Sequence, residues 1–119
     1  MSRRTHKVED LLRAEVSKII LRRIQDPRVR LASISEVDVS PDLKRAVIQV
    51  SIIGTDEERE ACVEALRHAQ GFIRSCLAKD LKRMRSIPEL IFQLDRGPEY
   101  SQRISDLLEK LHDHEHEST

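Results

Sequence analysis

Residues 61–85 read ACVEALRHAQGFIRSCLAKDLKRMR. Ala61, Cys62, Ala65, Leu66, Ala69, Ile73, Cys76, Leu77, Leu81 and Met84 recur there at three- and four-residue spacing, the signature of one apolar helical face. The helical run starts after Thr55, which forms a capping box with Glu58 and places acidic residues in the first turn. Gly71 sits in its middle. A glycine inside a helix costs roughly 1 kcal/mol against alanine, so the pattern predicts helix, kink at Gly71, and helix again up to residue 85. Winding residues 67–85 at 100° per residue brings Arg67, Gly71, Arg74, Ala78, Lys82 and Arg85 within about 80° of one another, opposite the apolar face.

Upstream, Val8, Leu11, Leu12, Val16, Ile19, Ile20 and Ile24 define a first helix that starts after Thr5 as N-cap and is stopped by Pro27. Lys7, Lys18 and Arg22 line one flank of it. Residues 31–39 follow as a strand in which Val37 and Val39 alternate with Glu36 and Asp38. Residues 45–53, RAVIQVSII, are β-branched and nearly all apolar, which predicts a strand buried on both faces. Ser40-Pro41-Asp42-Leu43-Lys44 between them is a hairpin turn signal.

Downstream, Pro88 introduces a third strand over residues 89–95, with Leu90, Phe92 and Leu94 on one face. After the breaker Gly97-Pro98, a last helix carries Tyr100, Ile104, Leu107, Leu108 and Leu111. The domain is predicted to end at residue 111. Residues 112–119, with His112, His114 and His116 alternating with acids, are expected to be a polar, disordered tail. The fold class is therefore α+β: a two-layer domain in which helices cover a three-stranded sheet.

The 119 residues carry 21 Lys+Arg and 21 Asp+Glu, a net charge of zero. The charge is nevertheless segregated, at +5 over residues 1–30, −5 over 31–66, +5 over 67–85 and −5 over 86–119. Two basic blocks that meet in space make a strongly dipolar molecule suited to a polyanion. With no Trp, one Tyr and two Phe, a platform for stacking single-stranded bases is not expected. No apolar run reaches the length of a membrane span and the N-terminal residues lack the core of a secretory signal, so the expected compartment is the cytoplasm, with no membrane partner.

Cys62 and Cys76 lie 14 residues apart, about 21 Å along a straight helix, too far for a disulfide. Neither has a second Cys or His at ligand spacing, so no metal, no cofactor and no nucleophilic centre is predicted. The sequence reads as a non-catalytic binding module. Two surfaces compete for its function: the cationic stripe of Arg67, Gly71, Arg74, Lys82 and Arg85 joined by Arg4, Lys7, Lys18, Arg22 and Arg28, or the acidic blocks at residues 56–60 and the tail, as a protein–protein adaptor. Arg28, in Asp26-Pro27-Arg28, either presents its charge outward or belongs to a structural turn. Gly71 either admits a phosphate backbone or only sets the angle between two helices.

The order helix–strand–strand–helix–kink–helix–strand resembles a type II KH domain, with Ala69-Gln70-Gly71 where a GXXG loop would stand. That departure, together with Asp26-Pro27-Arg28, Val39-Ser40-Pro41-Asp42-Leu43 followed by Lys44 and Ala46, Pro88-x-Leu90-x-Phe92-x-x-Asp95 and Arg103-Ile104-x-x-Leu107-Leu108, resembles the ribosome-binding factor A family over residues 3–111. The resemblance implies a ribosome assembly factor that binds free 30S small subunits, contacts 16S rRNA in the neck region, and assists late maturation and 16S rRNA processing, above all in cold adaptation; in solution the chain is expected to be a monomer. It also implies no catalytic activity. The altered KH loop shifts the expected mode from reading single-stranded bases to gripping folded rRNA by shape and phosphate.

Overall fold

The central strand is β2 (Arg45–Ile52), paired antiparallel with β1 (Ala32–Val39) and parallel with β3 (Glu89–Leu94), in the order β1-β2-β3. The computed structural model describes residues 3–95 and the helical stretch 107–111. Ala46, Ile48, Val50 and Ile52 join Leu90 and Phe92 in the main core, where they meet Leu12, Val16 and Ile19 of α1 (Arg3–Arg22), Cys62 and Leu66 of α2 (Asp56–His68), and Ile73 and Leu77 of α3 (Gln70–Asp80). On the opposite face Val47 and Ile91 pack against Leu108. Coverage on both sides explains why β2 is almost uninterruptedly apolar. Each fully buried side chain such as Phe92 or Ile48 contributes about 1.5–3 kcal/mol.

The hairpin turn is held by its own polar groups. The Ser40 amide donates to the Arg45 carbonyl at 2.9 Å, and Asp42 accepts from the Ser40 hydroxyl at 2.7 Å and from the Lys44 amide at 3.0 Å. Leu43 takes a left-handed backbone, φ 62°, and its side chain packs against the core, which offsets a strain of order 1 kcal/mol. This turn fixes where Lys44 points. The capping box reads as the sequence predicts: the Glu58 amide donates to the Thr55 hydroxyl and the Thr55 amide to the Glu58 carboxylate.

Several boundaries differ from the sequence expectation. The first helix already includes Arg3, and Thr5 is nearly fully buried within it rather than capping it. It ends at Arg22, not at Pro27, and Ile24 packs on the core from outside the helix. Pro27 instead opens a 3-10 turn (Pro27–Val29) capped by the Asp26 carboxylate, which buries Val29. Ile53 lies beyond the strand and is 79% exposed. The kink is at Ala69, which ends α2 and begins α3, so Gly71 lies inside α3. α3 stops at Asp80, because Leu81 leaves the helical region (φ −114°, ψ 58°) while its side chain turns onto the core. The chain then has to return alongside α3 to start β3 next to Arg45; helix up to residue 85 would carry it about 7 Å further away. Of the last helix, Leu108 is buried but Leu107 and Leu111 are exposed; Tyr100, Ile104 and residues 112–119 fall outside the described residues.

Candidate nucleic-acid interface

Where α2 gives way to α3, Gln70, Gly71 and Arg74 face Lys44 from the hairpin turn and Ser86, Ile87 and Glu89 from the approach to β3, around a shallow depression of about 570 Å³. A parallel β2–β3 pair with Arg45 opposite Glu89 makes this meeting unavoidable, since both strands start at the same end. The amides of the first turn of α3 have no partner inside the helix and favour anions. At Gly71 a side chain would meet nothing within 4 Å, so the backbone is open to the depression. Lys44 and Arg74 contribute positive charge, against Glu89 at the rim.

The cationic stripe is only partly assembled as the winding predicts. Because α3 ends early, Lys82 and Arg85 sit exposed with Arg83 on the loop 81–88 rather than on a helix. Arg67 and Arg74 are shared with the fold. The Arg67 Nε donates to the Phe92 carbonyl at 3.2 Å, an Arg74 guanidinium nitrogen donates to the Ile87 carbonyl at 2.9 Å, and between them the Leu90 amide donates to the Gln70 side-chain oxygen at 3.1 Å. These contacts stitch α2 and α3 to the edge strand β3 and blunt its outer side. Both arginines remain mostly exposed beyond those bonds.

The second basic block does not join the depression as one surface. Lys7 is exposed near the N-terminus of α1; Arg4 lies in that helix, with its side chain outside the described residues. Lys18, 3.5 Å from Glu15, and Arg22 lie toward the other end of α1, near Asp80 at the end of α3. The ion pair of Arg23 with Asp80, at 3.9 Å, links these helices. Arg28 belongs to the structural turn: its guanidinium contacts both Asp26 oxygens, at 2.6–3.1 Å. That contact, more than the Arg28 amide bond, holds the Asp26 carboxyl below its usual range. Burial pushes the Cys62 thiol up, and both cysteines are free and buried, which makes them packing groups rather than nucleophiles.

Five of the seven residues around the depression, Lys44, Gln70, Ser86, Ile87 and Glu89, escape a reading by helical winding. Lys44 is brought in by the hairpin turn, and Gln70 by its bond to β3; the parallel start of β2 and β3 was the signal for both. Phe72, 49% exposed, also stands one residue from Gly71. Among the described residues no cluster of His, Cys, Asp and Glu suits a metal ion, and no helix is long and apolar enough to cross a membrane.

With this geometry in hand, comparison with known proteins is decisive. The family model for ribosome-binding factor A matches residues 4–108. The chain belongs to the ribosome-binding factor A family. A ribosome-binding factor A from Caldanaerobacter subterraneus subsp. tengcongensis is 40% identical over 116 residues, covering 97% of this chain and 94% of that protein. The one from Thermomicrobium roseum is 44% identical over 110 residues, covering 92% and 84%. Among solved structures, the crystal structure of ribosome-binding factor A from Thermus thermophilus aligns with a TM-score of 0.69 at 26% identity, over 79% of this chain and 98% of that one. The Thermus thermophilus factor as fitted into the cryo-EM map of a 30S–RbfA complex aligns with a TM-score of 0.63 at 27% identity, over 75% and 92%. The small α+β domain with a three-stranded mixed sheet is thus the fold of this family, and its members are ribosome-binding factors.

Proposed function

We propose that the chain binds the free small ribosomal subunit by gripping 16S rRNA phosphates at the depression between the α2–α3 junction and the hairpin turn, and so assists late maturation and processing of 16S rRNA, with its greatest effect in the cold. The observation that carries this reading is the opening at Gly71, flanked by Lys44 and Arg74 and by Ser86 and Ile87 of the loop that also bears Lys82 and Arg85, in a member of a ribosome-binding family. The factor works in the cytoplasm as a monomer and performs no chemistry of its own; residues 1–111 form its binding domain and 112–119 a polar extension. Contacts with phosphates rather than bases suit a chain so poor in aromatic residues.

Co-sedimentation with purified small subunits over a salt series tests the reading. Affinity falls steeply as salt rises, with a slope of about 0.9 per phosphate contacted. A Lys44→Glu/Arg85→Glu variant, altering two exposed side chains that hold no part of the described fold together, weakens binding and lowers the slope by about two. An unchanged affinity and slope in this folded variant would remove the depression from the interface.

A further inference from the structure

We infer that the groove between the second half of α1 and the first residues of β1 docks an acidic, partly apolar segment of a protein carried by the small subunit. The inference rests on the subunit reading above, but on a different surface. The groove encloses about 990 Å³; Arg13, Arg22 and Arg30 line it together with the apolar Leu21, Ile24 and Ile34, and no carboxylate lines it. Among the described residues none of the three arginines is in an ion pair. Leu21 is 80% exposed there, a large apolar side chain with no counterpart in the fold.

The edge of β1 points to a peptide as occupant. Further along the strand its outer backbone is already occupied: Arg13 donates to the Ser35 carbonyl at 2.6 Å, and the Val39 amide donates to the Glu9 carboxylate at 2.8 Å. At residues 32–34, inside the groove, no side chain among the described residues takes that role. An extended segment laid there gains main-chain bonds from the edge, places apolar side chains on Leu21, Ile24 and Ile34, and sets its carboxylates against the three arginines. RNA matches the arginines but leaves the apolar floor unsatisfied, and no aromatic side chain lines the groove for a base to stack on.

The buried Cys62 and Cys76 allow a thiol-directed photo-crosslinker to be placed selectively at Leu21→Cys in the full chain. On purified small subunits the crosslink forms to a ribosomal protein, within an acidic stretch. A crosslink to rRNA, or none in a complex that forms normally, overturns the inference. In parallel, Leu21→Ser/Arg30→Glu loses about tenfold in affinity for intact subunits while its affinity for protein-free 16S rRNA stays that of the native chain. Equal losses on both, or none on either, also overturn it. If instead Lys44→Glu/Arg85→Glu binds subunits as the native chain does, it is the phosphate reading of the other end that fails.

Discussion

Gly71 lies inside α3, is not in a left-handed conformation, and has open space where a Cβ would stand. The fold therefore does not require glycine at this position. Gly71→Ala should stabilise the protein in urea denaturation by up to about 1 kcal/mol, toward the lower end because the site is in the first helical turn. If a phosphate approaches the bare backbone here, the same variant loses subunit affinity while becoming more stable. Equal affinity in the stabilised protein would leave Gly71 without a part in binding. Glu9 is a residue whose charge works against the fold. Burial raises its pKa, and the hydrogen bond from the Val39 amide and the nearby His6 only partly oppose this. A carboxylate with a raised folded pKa makes the protein less stable as pH climbs from the unfolded value through the folded one, with the full penalty above it. Gln at this position keeps an acceptor for the Val39 amide without the charge. Glu9→Gln should thus match the native chain at about pH 3 and exceed its stability at about pH 7; a pH-independent difference between the two would contradict this origin.

At the scale of elements, the polar groups of α2 and α3 are what hold β3 at its outer edge. Gln70 accepts from the amide of Leu90, which is itself only 2% exposed. Gln70→Ala strands that buried amide, so the domain should lose about 1–2 kcal/mol, and amide exchange should accelerate first at Leu90 and its neighbours in β3. Acceleration spread evenly over the sheet would mean that β3 does not depend on this tie. The same residues show how far the sequence could be read. The alternation of Leu90 and Phe92, the uniform apolarity of β2 and the Thr55–Glu58 box are legible because each is a local pattern with one structural solution. The kink falls two residues before the glycine, which has an obvious motive for breaking a helix, whereas Ala69 has none in its own chemistry. The end of α3 is hidden because Leu81 continues the helical period; it leaves the helix for the core, and only the need to start β3 beside Arg45 makes that visible. Arg67 and Arg74 read as surface charge for the same reason, their backbone partners Phe92 and Ile87 lying 25 and 13 residues away in sequence.

Across the whole molecule, the two surfaces lie at opposite ends of the sheet. Lys44 precedes β2, and the groove opens on residues 32–34 of β1, which pair with the last residues of β2. The roughly seven to eight residues of strand between them span about 25 Å. At that separation, with no shared partners, two sets of substitutions act independently, and their free energies add to within about 0.5 kcal/mol. Combining Lys44→Glu/Arg85→Glu with Leu21→Ser/Arg30→Glu should therefore multiply the two losses in affinity for intact subunits, as measured by competition co-sedimentation at one low salt concentration. The salt response separates the contributions further. The slope should fall by about two for the first pair, which removes phosphate contacts, and by much less for the second, where apolar area and arginine–carboxylate pairs are lost instead. A combined loss no larger than the greater single loss would mean that only one end of the molecule touches the subunit, and the shape of the domain, cationic at the hairpin turn and apolar with an arginine rim at the far end, would then serve one contact and not two.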